Sequence, residues 1–257
     1  MSNSPADPPL FEQYPHSERF QLTKNGDPAE RVLLPVHIQN YDWAFLSGVG
    51  DAKELQKILE PQDLDLTETQ PDSGLNVGIF AINYKESDVG PFREYYLIVG
   101  AKDRPIDGRA LPSEHSVGFF VWDIELDSDL AIRFGRQVWG HPKTYAEAKV
   151  GWSGDDFAFE FKEPSGNAIF SGKCTGGAGL PFASVRFPPF FFITPYEIRR
   201  SWAQAVNEGE TAGRAYDPDR DVLDWNPNSR MGSKLARVGF KPIYWTLGKN
   251  VKAVGFR

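Results

Sequence analysis

The chain has 257 residues, is 40% hydrophobic and carries a formal net charge of −7, which suits one large domain or two small ones. An acidic balance without a clustered basic face argues against a binder of the nucleic-acid backbone. No apolar run reaches the roughly 18 residues that a membrane-spanning helix needs. With 19 Phe, 20 Pro and 24 Gly, the composition favours strands and tight turns over long helices.

The opening stretch, MSNSPADPPLFEQYPHS, lacks the charged and apolar regions of a signal peptide and reads as a polar lead-in that extends to residue 29. The single Cys174 cannot form an internal disulfide, which fits a reducing cytosol. Residues 31–39 and 41–48 read as extended segments. Residues 51–59 place Leu55, Ile58 and Leu59 on one helical face, with Asp51 positioned as the N-cap. Residues 75–84 and 92–101 follow as strands, and 115–126 is an apolar run long enough to be buried on both faces. Asp127-Ser128 opens a short helix that delivers the chain to His141-Pro142-Lys143.

Beyond that point, 146–152, 156–164 and 168–177 are short strand-like runs separated by turn signals, a meander pattern. Paired prolines make 186–195 an edge or crossing segment. Residues 229–240 read as polar and turn-like, and 242–256 as closing strands. No internal repeat or Gly/Ser linker interrupts residues 30–257, so a single α+β domain dominated by antiparallel sheet is expected.

Several motif-like stretches lack the partners their chemistry needs. Gly176-Gly177-Ala178-Gly179 has neither the Lys-Ser/Thr pair nor the following helix of a phosphate cradle. Gly151-Trp152-Ser153-Gly154 continues with Asp155, not the glycine of a nucleophile elbow. His16, His37, His115 and His141 show no metal-ligand spacing, so no metal site is expected. Residues 216–224 imitate the Asp spacing of a calcium loop but lack its central Gly and terminal Glu, and read as a solvated loop.

The stretch FGRQVWGHPKTYAEA (134–148) is different, because it sets Lys143 behind a rigid proline among bulky apolar groups. Such a lysine is either a surface charge at a turn or an amine held for Schiff-base chemistry. A free lysine amine titrates near 10.4, so a nucleophilic lysine needs burial or a neighbouring cation to expose its lone pair near neutral pH. Val138, Trp139 and Tyr145 are the candidates for an apolar wall, with Pro142 stiffening the approach.

GRQVWGHPK (135–143) resembles the Gly-Arg-Glu…Pro-Lys signature of the acetoacetate decarboxylase-like superfamily, in which the lysine after the proline forms the imine. GPFRE (90–94) resembles that family's Gly-x-aromatic-x-Glu motif, whose glutamate lines the reaction chamber. The 51–66 helix and bend, the 186–195 strand and the C-terminal strand pair stand in the matching order. The resemblance implies a cone-shaped closed β-barrel with a few surrounding helices and a homo-oligomeric cytoplasmic protein. It also implies a decarboxylase-like lyase acting on a small keto acid or keto compound. Lys143 would be the nucleophile and Glu94 the general acid/base, with Arg136, Trp139, His141, Phe92 and Tyr41 against the substrate. No cofactor is called for, since a protonated imine is itself an electron sink.

Three positions depart from the family pattern. Thr144 stands where the decarboxylase has a second lysine, Gln137 replaces a glutamate, and the early arginine has no counterpart near Tyr41 and Asp42. These departures keep two alternatives open: an aldolase-dehydratase using the same lysine, and a barrel that binds small molecules without chemistry.

Overall fold

A computed structural model describes residues 8–70, 72–103, 118–187, 190–195 and 202–256. Helix α1 (Leu10–Gln13) is followed by a hairpin of β1 (Glu18–Lys24) and β2 (Asp27–Leu34), and then by the long β3 (Val36–Val49). Helix α2 (Ala52–Leu59) leads to β4 (Leu64–Leu66), β5 (Val77–Ser87), β6 (Phe92–Asp103) and β7 (Gly118–Leu126). Helix α3 (Asp129–Phe134) runs into a π-helical turn, Gly135–Trp139, and the chain re-enters the sheet as β8 (Lys143–Tyr145). The meander follows as β9 (Glu147–Ser153), β10 (Asp156–Lys162) and β11 (Ala168–Cys174). The chain ends through β12 (Ala183–Arg186), β13 (Phe190–Ile193), β14 (Trp202–Ala215), β15 (Val222–Trp225), α4 (Arg230–Arg237) and β16 (Lys241–Phe256).

The large sheet runs β4-β6-β5-β3-β16-β14-β13-β7-β8, with β12 beside β14, and β6 also pairs with β7. Its pairings are antiparallel except β13 with β7 and β7 with β8. A smaller sheet, β15-β11-β10-β9, is antiparallel throughout. The architecture is therefore mainly antiparallel β with a few short helices, as the sequence predicts.

Strand alternation explains why the central segments are apolar on both faces. On β6, Tyr95, Leu97 and Val99 join one buried cluster with Phe157, Phe161 and Phe170 of the smaller sheet, while Tyr96 and Ile98 join another with Trp43, Phe45 and Val121. Glu94 shares the face of Tyr96 and is fully buried. A strand exposed to core on both sides thus delivers one carboxylate inward.

Other expectations fare unequally. The Asp51 cap forms, its side chain accepting from the backbone amides of Lys53 and Glu54. The lead-in expected over residues 1–29 includes folded chain, because β1 pairs with β2 and buries Leu22 completely. Within residues 229–240 the chain forms α4 rather than a turn. Ser229 caps it, and Met231, Leu235 and Val238 recur at helical spacing under a charged outer face. The closing segment is one continuous strand, β16. His115 and the start of the 115–126 run lie outside the described residues. Among the described residues, no helix is long and apolar enough to cross a membrane.

The 216–224 stretch is also not simply solvated. Asp221 is buried and accepts from the Arg214 guanidinium, from Trp245 Nε1 at 3.1 Å and from the amides of Thr175 and Asp217. It joins the smaller sheet to β14 and β16. Removing it strands a half-buried guanidinium, so Asp221→Ala should cost about 3–5 kcal/mol of folding free energy, read as a lowered denaturant midpoint at unchanged slope.

Candidate active site

Lys143 opens β8, a three-residue strand paired in parallel with β7 opposite Ile124. The preceding Gly140 has φ 69°, a left-handed conformation that ends the helical turn and suits glycine. A Cβ added to Gly135 would overlap Cδ and Cε of Lys143 and lie 3.1 Å from its Nζ. Arg136 Nε donates to the Lys143 carbonyl at 2.7 Å. The Gly-Arg step therefore has two mechanical roles: the glycine clears room for the lysine stem and the arginine clamps the lysine's backbone. Gln137, the departure from glutamate, exchanges hydrogen bonds with the Thr23 backbone and pins the β1–β2 hairpin.

Lys143 Nζ lies 2.6 Å and 3.2 Å from the two carboxylate oxygens of Glu94. The two side chains retain only 2% and 0% of their exposure. Burial raises the Glu94 carboxyl above its ordinary range, and the adjacent ammonium and the Tyr96 hydroxyl bond only partly offset this. Tyr96 also hydrogen-bonds Tyr84, and burial holds both phenols well above their usual value, so both stay protonated. The Phe92 and Tyr96 rings lie 5.6 Å and 5.9 Å from the amine and complete its surroundings with cation–π contacts.

His141 is buried, and burial, reinforced by Lys143, holds its imidazole well below the ordinary histidine value and therefore neutral. Neither of its ring nitrogens has a hydrogen-bond partner among the described residues. The ring sits edge-on to Tyr96 with centroids 6.0 Å apart and tilts against Trp139 at 5.4 Å.

These groups open onto a cavity of about 320 Å³. Lys143, Glu94, His141, Trp139, Phe92 and Tyr41 line it, so six of the seven residues expected at a site converge. Arg136 does not, being exposed and committed to the Lys143 carbonyl. Of the expected apolar wall only Trp139 faces the cavity. Val138 is buried elsewhere in the core, and Tyr145 is 48% exposed.

Two site residues carried no motif. Tyr96 was accessible by period two from Glu94 along a strand. Asn207 is brought in by β14 and accepts from the Tyr41 hydroxyl at 2.6 Å, a pairing that no local pattern signals.

The missing cation has a geometric explanation. Thr144 points to the opposite face from Lys143, where its hydroxyl lies 3.2 Å from Glu125 and accepts from Arg230 at 2.9 Å. Arg230 also pairs with Asp123, and Lys234 lies 3.2 Å from the same carboxylate. Of the two positions near the missing arginine, Tyr41 faces the cavity while Asp42 pairs with Lys85 at 2.7 Å. Away from the cavity, His16 lies 2.8 Å from Asp88 and stacks on His37 at 3.9 Å. His37 Nε2 bonds the Tyr14 carbonyl at 2.7 Å, so this group ties the N-terminal segment to β3.

The Gly135 contact yields a prediction independent of any reaction. Gly135→Ala should destabilise the protein by about 1–3 kcal/mol through overpacking, but much less in a Lys143→Ala background. A double-mutant cycle of denaturant midpoints measures the coupling; additive effects would mean that the two side chains do not compete for space.

No protein-family model matches the sequence, and no curated protein matches it. Solved structures do. Acetoacetate decarboxylase from Legionella pneumophila superposes with a TM-score of 0.57 at 16% identity, covering 90% of each chain. A second acetoacetate decarboxylase gives 0.56 at 13% identity over 86% of each. The enduracididine biosynthesis enzyme MppR, complexed with pyruvate, gives 0.53 at 13% identity over 86% of each chain. At these identities the likeness speaks for the architecture alone: the chain shares the fold of these enzymes.

Proposed function

We propose that the protein is a Schiff-base-forming lyase acting on a carbonyl compound, with Lys143 as nucleophile and Glu94 as its proton partner. The observation that carries this reading is the buried contact of 2.6 Å between Lys143 Nζ and Glu94 at the wall of a cavity. A purely structural ion pair gains little from burial, and a lysine–carboxylate pair facing enclosed space is more readily explained by chemistry. The fold shared with two acetoacetate decarboxylases and MppR supports it. We also read the ring of pairings from β6 through β5, β3, β16, β14 and β13 to β7 as the cone-shaped barrel, with β7 pairing back to β6.

In this scheme Glu94, made more basic by burial, takes a proton from the Lys143 ammonium. The freed lone pair attacks the substrate carbonyl carbon while the carbon–oxygen π pair moves to oxygen, which recovers the proton from Glu94. Loss of water from the carbinolamine leaves a protonated imine. That cation accepts the electron pair of the adjacent carbon–carbon bond as the fragment beyond it leaves. The fragment is either carbon dioxide from a β-keto acid or a carbonyl compound from a β-hydroxy ketone whose hydroxyl proton passes to Glu94. The resulting enamine is protonated at carbon and the imine is hydrolysed from the lysine. The aldol reading uses the same intermediate. It gains weight from the orientation of Thr144, which brings no second cation to the amine, and from the MppR neighbour complexed with pyruvate.

Borohydride reduction in the presence of a carbonyl panel should attach a reduced adduct to Lys143, located by peptide mass, and Lys143→Met should abolish it. An adduct confined to other lysines would sink the assignment. Glu94→Gln keeps the shape but cannot relay the proton, and should slow turnover by about two to four orders of magnitude.

The pH profile has a defined sign. Below the Glu94 pKa the carboxyl already holds a proton and cannot accept one; above it the relay operates. The rate should therefore fall with acid through a pKa above the ordinary carboxylate range, and Glu94→Gln should erase that limb. His141, neutral throughout, should add no inflection at the ordinary histidine value.

A further inference from the structure

We infer that the carbonyl compound taken by this cavity is neutral and largely apolar, of aryl-ketone size, with a hydrogen-bond-accepting group at the end remote from the reacting carbonyl. The inference rests on the Lys143 imine reading and names the class of substrate that the site selects.

The walls come first. Trp43, Phe45 and Phe80 lock together, with Phe80 stacked on Phe45 at 4.2 Å and Trp43 edge-on to Phe80 at 5.6 Å. Phe192 stacks on Tyr96 at 5.3 Å and so continues this lining to the lysine. A cavity of about 320 Å³ falls within the range of roughly 300–1,000 Å³ that encloses ligands much larger than pyruvate. A keto acid of pyruvate's size would leave most of these rings uncovered.

Charge points the same way. Among the described residues lining the cavity, Lys143 is the only cationic side chain, and Glu94 already neutralises it. A substrate carboxylate would be buried beside the Glu94 carboxylate with no counter-ion of its own, an arrangement that proteins avoid.

The hydrogen-bonding groups left over define the two ends. Next to the lysine, neutral His141 has both ring nitrogens unpartnered among the described residues and is available to the oxygen of the reacting carbonyl. Elsewhere on the wall, Asn207 is 4% exposed, its Oδ1 is held by the Tyr41 hydroxyl at 2.6 Å and its Nδ2 has no partner among the described residues. Buried amide donors are rarely left unmade, so this one fits a ligand acceptor. Tyr41, Tyr84 and Phe92 connect the two ends as a stack with centroid separations of 5.4 Å and 4.2 Å. A ligand reaching from Lys143 to Asn207 runs alongside this stack, a span matched by a short alkyl ketone bearing a phenyl ring.

The test compares borohydride trapping at Lys143 by 4-(4-methoxyphenyl)butan-2-one, 4-phenylbutan-2-one, butanone, pyruvate and acetoacetate. The aryl ketones should half-saturate trapping at concentrations at least tenfold below butanone and both keto acids. The methoxy compound should outperform the unsubstituted one, an advantage that Asn207→Leu removes and that Tyr41→Phe, which frees the amide, diminishes. Trapping by pyruvate or acetoacetate at equal or lower concentrations would leave the imine reading intact and overturn the substrate class. If no compound is trapped, the imine reading fails, and calorimetry on Lys143→Met decides the ligand class separately. Binding of the aryl ketones without the keto acids would uphold it, and no aryl-ketone binding would overturn it.

Discussion

The buried contact between Lys143 and Glu94 is the constraint around which the rest of the site is arranged. Taking an ammonium and a carboxylate out of water costs several kcal/mol per ion, and their mutual attraction recovers this only when geometry and remaining hydrogen bonds are good. The fold meets that demand from both sides. Glu94 is held near the start of β6, flanked by Ile82 of β5 and Leu126 of β7, with the Tyr96 hydroxyl as a further bond. Lys143 is threaded past Gly135 and fixed at its carbonyl by Arg136. Neither charge can swing to water without unmaking a strand pairing or that clamp.

The same constraint explains the two-faced character of the sheet. Strands β6 and β7 must bury residues on both sides, because one face packs on the smaller sheet and the other surrounds the cavity. Polar groups on the packed side are therefore paired among themselves: Asp123 and Glu125 meet Arg230 and Lys234 from α4. This network holds β7 and β8 from behind, while the inner face presents the lysine. A cation contributed by the residue after Lys143 would enter the outer network, not the cavity, so its absence leaves the inner face unchanged.

Much of this was legible in the sequence, and the division is physical. Lys143, Glu94 and the helix leading to the lysine stood in local motifs whose residues act through neighbours within a few positions, and the Asp51 cap is likewise a local contact. Strand alternation placed the apolar runs but could not say which of two buried faces encloses space, and so Tyr145 was expected at a wall and lies exposed. Helix α4 was hidden because its apolar positions are few and sit among charges and a glycine. Its stability comes from packing and from the Ser229 cap more than from propensity. Asn207 and Asp221 owe their roles to partners on distant strands, Tyr41 and Arg214 with Trp245, which only the register brings near.

Arg136 shows most clearly how a motif can mislead about a role. The resemblance placed it against the substrate. The π-helical turn instead directs it outward to the Lys143 carbonyl. The consequence reaches the chemistry: with that guanidinium spent on backbone, the charged side chains among the described residues lining the cavity are Lys143 and Glu94, set beside a neutral imidazole and uncharged hydroxyl and amide groups. In the proposed reaction such a lining would favour charge confined to the Lys143 nitrogen, which lies 2.6 Å from a Glu94 carboxylate oxygen. The aromatic walls exclude water, strengthening that electrostatic interaction.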